Sequence, residues 1–152
     1  MLKEEFNTLL TDIKNGQSYF ITGAAGVGKT HLVKQIYNEL LKEGCHIALT
    51  STTGTNAIVL GGMTIHKFMG MTIHTNPNYI KFMKSSFLFS GIRKRLAKYD
   101  IIVIDEVSML RADQFELICN ILKEACDQNK QFGGKTLIFT GDFYQIPPVI
   151  KN

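Results

Sequence analysis

Apolar residues recur at helical spacing in Leu2, Phe6, Leu9, Leu10 and Ile13, which predicts an amphipathic first helix that Asn15-Gly16 ends. The run over residues 19–22 then reads as a strand. A second helical stripe follows in Leu32, Val33, Ile36, Tyr37, Leu40 and Leu41, closed by Gly44, and residues 46–50 read as a second buried strand. Residues 51–70 are small and hydroxylated. They carry a short helical run over 55–60, a Gly61-Gly62 break and a second short helix near Thr64 that bears His66 and Phe68. No period holds from 71 to 90, which predicts an inserted or mobile connection. Ile92 and Leu96 lead to a third strand, Ile101-Ile102-Val103-Ile104. Asp113, with Glu116 three residues on, predicts a capping box for a helix bearing Phe115, Ile118, Cys119 and Leu122. Residues 127–135 read as a solvated loop and 136–140 as a closing strand. Strands alternating with helices predict an α/β sandwich with a mostly parallel sheet, its functional loops beyond the strand C-terminal ends.

Three of those strand ends deliver chemistry. Gly23-Ala24-Ala25-Gly26-Val27-Gly28-Lys29-Thr30 lies between the first strand and the second helix, the context that a phosphate-binding P-loop needs. Its glycines let successive N–H groups face phosphate oxygens near a helix N-terminus. Lys29 supplies a point charge to the phosphates and Thr30 a hydroxyl to Mg²⁺, while Asp105, ending the third strand, holds the same ion. Glu106 is then the candidate base or water-orienting residue. Gln145, after the closing strand, is either a sensor of the γ-phosphate or attacking water, or a turn residue whose amide satisfies local backbone.

At 152 residues with 45% apolar content, the chain has the size of one compact domain with a sizeable core and is too short for a two-lobed motor. A formal charge of +4 favours an anionic partner. Cys45, Cys119 and Cys126 lack metal-ligand spacing, and their odd number without a secretory segment points to free thiols inside the cell, with Cys119 and Cys126 on a buried helix face. His31, His46, His66 and His74 show no compact zinc-ligand spacing. No apolar run is long enough to span a membrane.

GAAGVGKT at 23–30, TSTTGTNAIVLGGMTIHKFMG at 50–70, VIDEVSML at 103–110 and GDFYQIPPV at 141–149 occur in the order found in the first RecA-like motor domain of superfamily 1 DNA helicases. The chain resembles their RecD-like, 5′ to 3′ branch over most of its length. The resemblance implies a RecA-like P-loop NTPase sandwich whose first four strands are ordered 1-4-3-2. It implies ATP and Mg²⁺ as cofactors: Lys29 and Thr30 bind the nucleotide and its magnesium, Asp105 coordinates the metal, Glu106 activates water, and Gln145 couples the γ-phosphate to the DNA-facing surface. It also implies that Thr52, Thr53, Gly54, Thr64 and His66 contact single-stranded DNA. Leu2-Lys3-Glu4-Glu5-Phe6 stands where the family commonly carries a glutamine that reads the adenine edge, so the sequence assigns no adenine reader. The chain ends soon after 149, before the last strand of such a domain and before the second RecA-like domain that completes the cleft. Residues 1–152 therefore read as an incomplete N-terminal ATPase domain of a longer helicase, or as a nucleotide-gated DNA-binding module without helicase activity of its own.

Basic residues offer a second DNA surface. Lys81, Lys84, Arg93, Lys94, Arg95 and Lys98 form either an attracting patch, with Arg93, Lys94 and Arg95 at its centre, or a solvated helix face. Tyr79, Phe82, Phe87 and Phe89 either stack bases or build a small core beneath the long connection. His66 is either a phosphate or base contact or a packed turn residue.

Overall fold

The period of the apolar stripe decides the outer layers. In the computed structural model, which describes residues 2–22, 28–72, 78–84 and 87–142, helix α1 spans Lys3–Lys14 and helix α2 spans Lys29–Lys42. Their buried faces, Leu9, Leu10 and Ile13 on α1 with Val33, Ile36 and Leu40 on α2, cover one side of a sheet. Leu2 and Leu41 fall outside the stripe and are exposed. Strands β1 (Tyr19–Thr22), β2 (Ile47–Ser51), β3 (Met63–Thr64), β4 (Ile101–Asp105) and β5 (Thr136–Gly141) all pair in parallel, in the order β1-β5-β4-β2-β3. The expected 1-4-3-2 order is present, with the two-residue β3 added beside β2.

Every residue of β4 is buried, because the sheet is covered on both faces. Successive side chains alternate between the layers: Ile101 and Val103 join the α1/α2 cluster, and Ile102 and Ile104 join the opposite one. Helix α3 (Gly54–Leu60) sends Leu60 into the α1/α2 cluster, and the opposite layer is built mainly from α4 (Ile65–Met69), α5 (Tyr79–Lys84), α6 (Phe87–Ala97) and α7 (Ala112–Ala125). Ile65, Phe68, Leu96, Leu117 and Ile118 are among its largest sealed side chains. Burying each contributes about 1.5–3 kcal/mol of transfer free energy.

Three local expectations are corrected. Helix α7 starts at Ala112, one residue before the predicted cap. Its entry is closed by the Gln114 side chain, which accepts from the Arg111 N–H at 3.1 Å, while Asp113 accepts from the Gln114 N–H and Glu116 takes no part. Residues 127–135 are not wholly solvated: a turn of 3-10 helix over Gln131–Gly134 packs on α7, and Phe132 sits edge-on to Phe139 at 6.1 Å. Cys126 is exposed beyond the end of α7 and Cys119 is half-buried, its thiol pushed up to about 11 by burial, so the pair does not share a buried face. All three cysteines are free. The stretch 71–90 carries α5 and the first turn of α6, and Phe89 there is buried while Phe87 is fully exposed. Tyr79 packs on the core and the Phe82 side chain lies outside the described residues. No described helix is long and apolar enough to cross a membrane.

Gly62, just before the added edge strand, lies directly against the β2 backbone. A Cβ there would lie 2.0 Å from the Leu49 carbonyl oxygen, a backbone atom that cannot move without parting β3 from β2. We expect Gly62→Ala to destabilise the fold by about 2–3 kcal/mol, at the upper end of overpacking costs. Gly91→Ala, with open space around it in the middle of α6, is expected to stabilise by about 0.5–1 kcal/mol. Thermal unfolding of the two variants checks both signs.

Candidate nucleotide site and its link to the second strand

Because all five strands run the same way, their C-terminal ends share one edge. There Thr22 lies opposite Gly141, and Ser51 lies opposite Asp105. Helix α2 begins at the same edge, with Gly28 at its N-cap in the left-handed region (φ 64°) and Lys29 and Thr30 in its first turn, both half-buried. Strand β5 separates β1 from β4, so the C-terminal ends of these two strands stand about 10 Å apart, two strand spacings. Gly23, Ala24, Ala25, Gly26 and Val27 of the loop lie outside the described residues, as do His74, Gln145 and residues 143–149 of the GDFYQIPPV segment.

Asp105 is buried at 8% exposure, and its Oδ1 accepts a hydrogen bond from the hydroxyl of Thr140 on β5, which is itself sealed. That donor fixes one oxygen of the carboxylate. An exposed or apolar neighbour would leave the buried charge without this partner. In the sequence Thr140 reads only as a strand end. The signal for its role is a hydroxyl residue on a buried strand just before Gly141.

Glu106 follows with φ 56° and ψ 44°, a left-handed conformation that a non-glycine residue adopts at a cost of order 1–3 kcal/mol. The turn is held from two sides. Its carbonyl accepts from the Met109 N–H at 3.0 Å, closing a 3-10 turn over Val107–Met109, and from the Thr52 hydroxyl at 2.8 Å. The Thr52 N–H donates to the Asp105 carbonyl at 3.1 Å, and the Ser51 hydroxyl approaches the same oxygen at 3.4 Å. Finally the Thr53 hydroxyl donates to Glu106 Oε2 at 3.2 Å. The same Thr53 oxygen accepts from the Asn56 N–H and so caps α3. Thus the segment after β2 and the acidic turn after β4, distant in sequence, form one hydrogen-bonded unit.

Thr64 caps α4 by accepting from the Lys67 N–H at 3.2 Å, and His66 sits in the first turn of that helix. His66 Nε2 faces the Gln114 amide nitrogen at 3.2 Å. Since Gln114 Oε1 is engaged by the Arg111 N–H, its NH₂ donates and His66 Nε2 accepts, which requires a neutral ring protonated at Nδ1. Burial, reinforced by the Arg111 charge, lowers the His66 pKa and favours that neutral form. Nothing local in the sequence marks Gln114 as a partner. The available clue is a polar residue at the third position of a helix, on the face that Leu117 and Ile118 bury.

The basic run divides by role. Arg93 is exposed and lies over the Phe89 ring at 5.1 Å, and Lys94 is exposed beside it. Arg95 is half-buried: its guanidinium donates to the Lys67 and Phe68 carbonyls at 2.8 and 3.0 Å and thereby closes the end of α4. These residues occupy the C-terminal half of α6, which leads down to the start of β4, so they lie toward the sheet edge opposite Asp105.

A parallel sheet ordered in this way, with an acidic strand end two strands from a Gly-Lys-Thr helix entrance, defines a RecA-like P-loop NTPase domain. The profile of the PIF1-like helicase family matches residues 1–152. The chain is 38% identical to the human ATP-dependent DNA helicase PIF1 over 151 residues, which cover 99% of this chain and 23% of that protein. Among solved structures it is similar to Pif1 helicase from Bacteroides in complex with ADP-AlF3 and single-stranded DNA, with TM-score 0.80, 31% identity, and coverage of 100% of this chain and 34% of the other. Pif1 helicase from Candida albicans is similar at TM-score 0.78 and 34% identity, over 99% of this chain and 34% of that one. The chain belongs to the PIF1-like helicase family, and it spans only about a fifth of the length of curated relatives such as the human and Psychrobacter helicases.

Proposed function

We propose that this chain is the N-terminal motor domain of an ATP-dependent 5′ to 3′ DNA helicase, which couples ATP hydrolysis to movement along single-stranded DNA when joined to a second RecA-like domain. The observation that carries the reading is the hydrogen-bonded unit of Thr52, Thr53 and the Asp105-Glu106 turn. It ties the expected DNA-contacting segment to the expected hydrolytic residue.

The residues present fit ATP and Mg²⁺. A hydroxyl at Thr30 and an oriented, buried carboxylate at Asp105 are hard oxygen donors, the kind Mg²⁺ takes. Among the described residues no three His, Cys, Asp or Glu side chains cluster as a metal cage, and an ion held largely through phosphate oxygens and water needs none. Thr30 and Asp105 would hold the ion, which would supply positive charge against the charge developing on the phosphates. The loop of Gly23, Ala24, Ala25, Gly26, Val27 and Gly28 supplies backbone N–H groups to the phosphates, and Lys29 adds a positive charge. Glu106 takes the proton of the attacking water, and Gln145 reports the γ-phosphate. A second domain completes the cleft with opposing positive charge, so the 152-residue chain alone hydrolyses ATP slowly and does not separate DNA strands.

Thr53, Gly54 and Thr64 meet the sugar-phosphate backbone through hydroxyl and N–H groups, Thr52 holds this segment against the acidic turn through its own two donors, and neutral His66 joins as a donor through Nδ1. Arg93 and Lys94 add attraction from farther away, while Arg95 combines its charge with the closing of α4. Removing Arg93 and Lys94 together as R93Q/K94Q is expected to make log affinity for single-stranded DNA fall less steeply with log salt, by less than the roughly 1.4 that two direct phosphate contacts would give at about 0.7 each. Base preference should stay as it was. Titrations at several salt concentrations check this, and an unchanged slope removes the patch from the interface. The reading as a whole is tested by DNA-stimulated phosphate release from the two-domain protein. ATP-dependent DNA retention without turnover there would instead identify a nucleotide-gated binding module.

A further inference from the structure

We propose that Thr53 is a positioning residue that restrains Glu106 until single-stranded DNA claims its hydroxyl, so that one hydrogen atom links DNA binding to hydrolysis. This rests on the reading of Glu106 as the base and of residues 52–54 as a DNA contact.

A threonine hydroxyl has a single hydrogen to donate. In this structure Thr53 gives it to Glu106 Oε2 at 3.2 Å, while its oxygen accepts from the Asn56 N–H at 3.3 Å. A DNA phosphate oxygen can only accept, so a contact between phosphate and the Thr53 hydroxyl takes the hydrogen that Glu106 now holds. The two contacts exclude each other. Neighbouring donors do not fill the gap: the Thr52 hydroxyl and N–H are committed to the Glu106 and Asp105 carbonyls. Loss of the bond leaves Oε2 without its neutral donor and free to turn from β2 toward the nucleotide edge. The backbone of Glu106 stays where it is, because Thr52 and the 3-10 turn hold its carbonyl. The restraint thus acts on the carboxylate alone, on a backbone already fixed in an uncommon conformation.

The test uses the two-domain protein and compares kcat and KM for ATP without DNA and at saturating oligo-dT. Thr53→Val keeps the side-chain shape and removes the hydroxyl. It should raise the DNA-free kcat by about tenfold, the lower range for a hydrogen bond to a charged group, and shrink the DNA stimulation ratio by the same factor without a matching change in KM. Thr53→Ser should restore the stimulation ratio. If loss of the α3 cap leaves the valine variant too unstable, Thr53→Gly, which is far better tolerated at an N-cap, also removes the donor to Glu106 and should show the same raised DNA-free rate. An unchanged stimulation ratio, or a DNA-free rate that falls, overturns the restraint. Glu106→Gln is assayed alongside: if it still hydrolyses ATP, the assignment of the base has failed, whereas an inactive Glu106→Gln with an unchanged Thr53→Val ratio rejects only the link.

Discussion

Glu106→Gln in the two-domain protein should bind ATP and Mg²⁺ yet release phosphate about 10²–10⁴-fold more slowly, the range expected when a positioned general base is removed. The replacement keeps nearly the same volume and one carbonyl oxygen that can still accept from the Thr53 hydroxyl, so the turn and the α3 cap remain. What it loses is basicity. The backbone strain at Glu106 does not change, because it belongs to the left-handed turn and not to the carboxylate. The variant should therefore unfold at nearly the same temperature as the parent. Equilibrium ATP binding and single-turnover phosphate release, measured on the same preparation, separate binding from chemistry. Hydrolysis at the parent rate would remove Glu106 from the reaction.

Lys29→Ala should lower triphosphate affinity by about 10–100-fold, as expected when a charge-assisted hydrogen bond to phosphate is lost. Lys29 is the first residue of α2, and the face that anchors this helix to the sheet is Val33, Ile36 and Leu40. Substitution there leaves that anchor intact, and alanine favours the helix. The affinity loss is therefore read on a folded domain. Calorimetric titration with a slowly hydrolysed ATP analogue in Mg²⁺ measures it. A folded variant that binds as tightly as the parent would contradict the role given to this lysine.

The sheet was legible because each of its longer strands is a short apolar run that ends in polar residues, and the strand order came from the resemblance carried by four ordered motifs. Strand β3 was not legible: Met63 and Thr64 are too few to show a period, and their pairing depends on Gly62 allowing close approach to Leu49. The helices over 79–97 were hidden for a different reason. Helix α5 has only six residues, and α6 buries Phe89, Ile92 and Leu96 while exposing Phe87 and Leu88, so its apolar stripe is blurred. At the site, Asp105 and Glu106 announced themselves as acids at a strand end. Their partners did not. Thr140, Thr53 and Gln114 act through contacts between segments far apart in the chain, and no local pattern marks a hydroxyl or amide that will meet an acid or a histidine across the fold.

A nucleotide seated on the C-terminal edge of the sheet, and sensed by the segment after β2, should show itself directly in amide chemical-shift mapping of the 152-residue chain titrated with ADP and Mg²⁺. The expected result is a set of shifts concentrated at Thr22, Gly28 to Thr30, Asp105 to Ser108 and Gly141, spreading through the hydrogen-bonded unit to Thr52 and Thr53 and sparing α6. Shifts confined to the opposite edge, around Gln17, Ser18 and Lys135 where β1 and β5 begin, would contradict it.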